Sequence, residues 1–111
     1  MTNSRHSGRV VLVTGAGGGI GAAIAELYCQ EGAAVALVDA DAAKVEQQAG
    51  LLREAGYTVG WATADVADYQ ACADACARLS SELGAIDTLI NNAGISPKHD
   101  GAPAPIWTMA P

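Results

Sequence analysis

The chain has 111 residues, half of them apolar and 16% charged, with 13 glycines, which is enough Val, Ile, Leu and Ala for one hydrophobic core and one domain. A net charge of −6 with six scattered basic residues excludes the Lys/Arg footprint that nucleic acid or anionic lipid requires. The stretch 1–8 is polar and no apolar run approaches the length of a bilayer span, so the expectation is a cytoplasmic protein without nucleic-acid or membrane partners.

After the polar tail 1–8, Arg9 to Thr14 reads as a strand and runs directly into Thr14-Gly15-Ala16-Gly17-Gly18-Gly19-Ile20-Gly21 and a helix. Unpaired N–H groups and the positive dipole end of a helix stabilise a pyrophosphate, provided no Cβ holds the phosphate away. Gly15 permits the sharp turn, Gly19 the close approach and Gly21 the packing of helix on strand. The spacing is G-x-x-x-G-x-G, distinct from the general dinucleotide spacing because Ile20 stands where a further glycine would be needed. Ile20, Ala23, Ile24, Leu27 and Tyr28 form the expected apolar stripe of this first helix, which ends at Gly32.

The second strand, Ala34 to Asp39, ends on an acid 18 residues past Gly21. A carboxylate there accepts hydrogen bonds from both adenosine ribose hydroxyls and repels a 2′-phosphate, which favours NAD over NADP. The competing reading is a solvated strand end or helix cap, with Asp41 the rival N-cap of the second helix. That helix places Val45, Ala49 and Leu52 on one face and stops at Gly56. Thr58 to Ala64 reads as a third strand, and a third helix stacks Cys72, Cys76, Leu79 and Leu83 before Gly84. Cys29, Cys72 and Cys76 make an odd count without a second Cys/His pair, so they read as small buried side chains. The last strand is Ile86 to Asn91, and the segment 95–111 holds all four prolines and reads as a loop.

Strand–helix alternation with crossovers of this length implies an α/β fold with a parallel sheet covered by helices on its faces, and with the dinucleotide turn the expectation is a doubly wound sheet of Rossmann type, in that fold's order 3-2-1-4 and cut after its fourth strand. The dinucleotide-binding domain is expected over residues 9–94. A solenoid is excluded because the units share no side-chain consensus.

The glycine turn, Asp39, the pair Asp65-Val66 after the third strand and Asn91-Asn92-Ala93-Gly94 after the fourth together resemble the short-chain dehydrogenase/reductase family, in its order and at its intervals. The resemblance covers Val10 to Gly94. It implies that Gly15, Gly17, Gly18, Gly19, Ile20 and Gly21 bind the cofactor, that Asp65 and Val66 contact the adenine, and that Asn92, Ala93 and Gly94 line the path to the nicotinamide ribose. It also implies that Asn91 braces the central strands. Taken singly, Asp65 could instead cap the third helix and Asn91 could be a turn residue. NADP-preferring members carry a cation where this chain has Gly18 or Ala40, which again favours NAD.

The family's chemistry is hydride transfer on an alcohol/ketone pair, with a tyrosine as general acid/base, a lysine four residues on and a serine orienting the substrate oxygen. Tyr28, Tyr57 and Tyr69 lack that lysine, and Ser96 has no base beside it, so no catalytic residue is assigned within 1–111. No metal site is assigned either. The expectation is the NAD-binding part of such an oxidoreductase, acting in its full-length parent on a small alcohol or ketone. The alternatives are a stand-alone nucleotide-binding module or a structural partner of another chain. With its fourth strand at an open edge, the chain is expected to self-associate.

Overall fold

A computed structural model describes residues 8–92. The chain runs β1 (Val10–Thr14), α1 (Gly19–Gln30), β2 (Ala34–Asp39), α2 (Ala42–Glu54), β3 (Val59–Thr63), α3 (Tyr69–Leu83) and β4 (Thr88–Asn91). The tail 1–7, Ala93, Gly94 and the segment 95–111 lie outside the described residues.

All pairings are parallel, as the alternation of strands and helices requires, and the strand order is the expected β3-β2-β1-β4. Alternate strand residues face opposite sides of the sheet. Val11, Val13, Val35 and Leu37 face α1 and α2, where they meet Ala25, Cys29, Val45, Ala49 and Leu52. Leu12, Ala36, Val38 and Ala62 face α3 through Cys72, Ala75 and Leu79. Both faces are thus apolar, which is why the strands read as unbroken hydrophobic runs.

β2 has its expected bounds, and the other strands begin or end a residue or two inside theirs. The largest difference is at β4, which starts at Thr88 and not at Ile86. Its ladder opens with Asp87, whose N–H donates to the Val10 carbonyl at 3.0 Å while its Oδ2 accepts from the Val10 N–H at 3.0 Å. The carboxylate thereby stands in for a backbone carbonyl at the mouth of the sheet.

The expected stripe of α1 needs correction. Ile20 and Leu27 are 65% and 54% exposed, and Ala23 is exposed, while Gly21, Ala25 and Cys29 are buried. The helix lies so close to β1 that small residues occupy the contact face. Ile24 and Tyr28 pack at its flank. In α2 the expected face, Val45, Ala49 and Leu52, is the buried one. In α3 the buried residues are Cys72, Ala75 and Leu79, with Cys76 and Leu83 at the margin.

Gly32 and Gly56 end α1 and α2 in the left-handed region, at φ 95° and 96°. Each closes a Schellman pair, Gly32 N–H to Cys29 O with Ala33 N–H to Tyr28 O, and Gly56 N–H to Arg53 O with Tyr57 N–H to Leu52 O. Gly84 differs, with φ 108° and ψ 172° and one bond back to Ser80 O, so it turns the chain outward without that motif.

Candidate functional site

Because the strands are parallel, their carboxyl ends lie along one edge and present Thr14, Asp39, Thr63 and Asn91 together. The chain leaves β1 toward β2 on one side and returns to β4 on the other. That reversal opens a crevice between β1 and β4 at the same edge, the place where doubly wound sheets take ligands.

The turn from β1 into α1 crosses this edge. Gly15 adopts φ 63°, which an L side chain tolerates poorly. A Cβ at Gly21 would stand 2.0 Å from the Gly15 carbonyl oxygen and 2.9 Å from Asn92 Nδ2, so only glycine permits the helix to come this near. Gly18 and Gly19 are different, since a Cβ on either would meet nothing within 4 Å. Their bareness is not demanded by the protein's own packing and leaves an open cradle.

The starts of the three helices differ in a telling way. Asp41 caps α2 by accepting from the Lys44 N–H at 3.1 Å, and Asp68 caps α3 by accepting from the Ala71 N–H at 3.0 Å. At α1 the N-cap is Gly18, which has no side chain to accept from the first amides. The N–H groups of Gly19, Ile20 and Gly21 find no acceptor among the described residues. An aspartate in this place would satisfy them and repel an anion, whereas glycine leaves them to a ligand.

Asp39 is half-buried beside this turn. Its Oδ2 accepts from the Gly17 N–H at 2.8 Å and its Oδ1 from the Asp41 N–H at 2.9 Å. The helix cap is therefore Asp41, and Asp39 is left at the edge with lone pairs to spare. Asp65 is exposed after β3. Its Oδ1 accepts from the Ala67 N–H at 2.9 Å in a local turn, so Asp68 and not Asp65 caps α3. No hydrogen bond of Asp65 reaches the glycine turn, which lies across β2, and Val66 packs against the core under α3.

Asn91 is the last residue of β4 and no turn residue. Its Oδ1 accepts from Thr14 Oγ1 at 3.1 Å, tying the two central strands together. Asn92 donates from Nδ2 to the Gly15 carbonyl at 3.2 Å, so β4 and the glycine turn are held as one unit. Thr14 and Asp87 were missed by reasoning from the sequence. Thr14 is fully buried and its only local signal is a hydroxyl where the strand pattern wants an aliphatic side chain. Tyr28 and Tyr57 pack at the core of α1 and α2, and Tyr69 opens α3 with its ring exposed. No helix among the described residues is long and apolar enough to cross a membrane.

Residues 9–107 match the short chain dehydrogenase family. The chain is 47% identical over 95 residues to D-threitol dehydrogenase of Mycolicibacterium smegmatis, a match covering 83% of this chain and 35% of that protein. It is 43% identical over 88 residues to cis-4-hydroxycyclohexanecarboxylate dehydrogenase of Sinomonas cyclohexanicum, covering 79% of this chain and 35% of that one. Among solved structures, carveol dehydrogenase from Mycobacterium avium in complex with NAD superposes with a TM-score of 0.77 at 26% identity, over 83% of this chain and 38% of that one. The chain thus spans about a third of the length of the curated relatives it matches.

Proposed function

This chain belongs to the short-chain dehydrogenase family, and on that premise we propose that residues 9–94 form the NAD-holding domain of an oxidoreductase acting on an alcohol/ketone pair. The observation that supports this most is the uncapped start of α1 beside a carboxylate at the next strand tip. In this reading the amides of Gly18, Gly19, Ile20 and Gly21 receive the pyrophosphate, with Gly15 and Gly17 shaping the turn. Asp39 accepts from the adenosine ribose hydroxyls. Asp65 and Val66 border the adenine, and Asn92, Ala93 and Gly94 lead toward the nicotinamide ribose. When bound, NAD supplies the ring that accepts or returns hydride. What these residues do is orient it and neutralise its phosphates.

Selection of NAD over NADP follows from charge. A 2′-phosphate brought to Asp39 meets a carboxylate, and neither Gly18 nor Ala40 offers a compensating cation. The relatives named above are dehydrogenases of small hydroxylated molecules, which supports a small alcohol or ketone as substrate of the full-length parent. The free thiols Cys29, Cys72 and Cys76 fit a reducing compartment, as a cytoplasmic location requires.

Calorimetric titration of the full chain tests the reading. NAD should give a saturable heat and raise the melting temperature, NADP should bind about tenfold more weakly or worse, and Asp39→Ala should level the two. Saturating NAD that leaves both heat and melting temperature unchanged would overturn it.

We also propose that β4 mediates self-association. Among the described residues β4 pairs with β1 alone, and its residues are all half-buried. Beside it, Leu12, Ala77, Ile86 and Leu89 line a groove of about 510 Å³. Burying that apolar surface against a second copy would lower its free energy.

A further inference from the structure

We propose that Gly17 is a specificity-determining position, whose amide and missing side chain hold the Asp39 carboxylate where it selects the unphosphorylated ribose. The inference rests on the NAD site described above and assigns Gly17 a role apart from that of Gly18 and Gly19.

The Gly17 N–H donates to Asp39 Oδ2 at 2.8 Å, and the Asp41 N–H donates to the other carboxylate oxygen at 2.9 Å. Each oxygen is thus pinned by one backbone amide, one from the turn after β1 and one from the turn after β2. A carboxylate held at both oxygens cannot rotate away, and it keeps further lone pairs for two ribose hydroxyls. The Gly17 donor is spent on this carboxylate, so it is not one of the amides that receive the pyrophosphate.

The space around Gly17 carries the same message. A Cβ there would lie 2.8 Å from Lys44 Cβ, 3.0 Å from Asp39 Oδ2 and 3.0 Å from the Val45 backbone nitrogen. Two of these neighbours belong to the first turn of α2, which is tied to Asp41 through the Lys44 N–H at 3.1 Å. Gly17, Asp39, Asp41 and Lys44 therefore form one linked unit. Any side chain at residue 17 must displace either the carboxylate or the helix start that positions it. At Gly18, one residue on, a Cβ meets nothing. Gly17 does not carry a positive φ, so alanine is acceptable to its backbone and the conflict is one of contact alone.

The test compares NAD and NADP binding by calorimetry for the wild-type chain, Gly17→Ala and Gly18→Ala. Gly17→Ala should weaken NAD about tenfold, the loss expected when one charge-assisted hydrogen bond is disturbed, and should leave NADP unchanged or tighter. Gly18→Ala touches the pyrophosphate cradle common to both cofactors and should weaken both by the same factor. Equal weakening of NAD and NADP by Gly17→Ala overturns the proposal while leaving the NAD site standing. Binding of neither cofactor by the wild type removes the site and this inference together. Should Gly17→Ala not fold, amide hydrogen exchange decides. The Gly17 amide should be protected in the wild type and lose that protection in Asp39→Ala. Equal exchange in the two proteins counts against the proposal.

Discussion

Cys29 shows how a residue's surroundings set its chemistry. Burial under α1, reinforced by the nearby charge of Glu26, pushes its thiol up to about 12. Burial also raises Cys72, with neighbouring Cys76, Asp68 and Asp65 adding to it, and raises Cys76. All three favour the neutral thiol in the folded chain, and Cys29 and Cys72 are also buried, so these two should resist alkylation at neutral pH and react only on unfolding, whereas the half-buried Cys76 should be the first to react. The linkage sign follows for Cys29. Its folded value lies above the ordinary value of 9.0, so its stabilising effect is intact below about 9 and is lost as pH rises toward about 12. Across that window denaturant midpoints should fall by the equivalent of about 1.4 kcal/mol per pH unit at most. Cys29→Ala should flatten the slope, and an unchanged slope in that variant would rule out Cys29 as its source. At the same scale, the sequence identified Asp39 and Asp41 as rivals for one cap. Only the hydrogen bonds decided between them, because the two acids are two residues apart and either could reach a helix start.

Glycines within the helices give the sharpest contrast at the scale of an element. In α1, Gly21 lies against the Gly15 carbonyl, and a methyl group there would sit at 2.0 Å. In α2, Gly50 is exposed and a methyl group meets nothing within 4 Å. Gly21→Ala should therefore destabilise the fold by about 3 kcal/mol through overpacking. Gly50→Ala should stabilise it by about 0.5–1 kcal/mol, because alanine loses less backbone entropy in a helix. Urea titrations of both variants check the opposite signs, and a shared sign would mean that helix propensity and not contact governs Gly21. The misread face of α1 has the same origin. Hydrophobic periodicity favours the large residues Ile20 and Leu27, yet a helix this close to its strand admits Gly21, Ala25 and Cys29. The α2 face was legible because Val45, Ala49 and Leu52, at helical spacing, are the residues the helix buries against the sheet.

At the scale of the whole sheet, the two borders are treated differently among the described residues. At the β3 border, Arg53 Nε of α2 donates to the Val59 carbonyl at 2.9 Å, and Arg78 Nη2 of α3 donates to the Trp61 carbonyl. Cations from both faces thus occupy strand carbonyls and discourage pairing with another chain. At the β4 border the neighbouring surface is the apolar groove of Leu12, Ile86 and Leu89. The proposed self-association should accordingly run through β4. Sedimentation velocity should show a weight-average mass that grows with concentration, and Leu89→Lys should suppress the growth. A wild-type chain that stays monomeric throughout the concentration series would sink this expectation. Arg53→Ala and Arg78→Ala should have the reverse effect and open a second route to association.

The sequence by itself determined the alternation of strands and helices, the parallel sheet and the glycine turn followed by an acid. These are local properties: a period of two or near four, a residue without Cβ, a charge at a strand end. The tertiary structure decided which acid caps a helix, which glycine serves packing and which leaves space, and which hydroxyl and amide bind β4 to the turn. The caps turn on hydrogen bonds between near neighbours for which the sequence offers two equal candidates, whereas the ties to β4 join groups far apart in the chain, as when Asn92 meets Gly15 and Asp87 meets Val10, and no spacing along the chain encodes the distance between them.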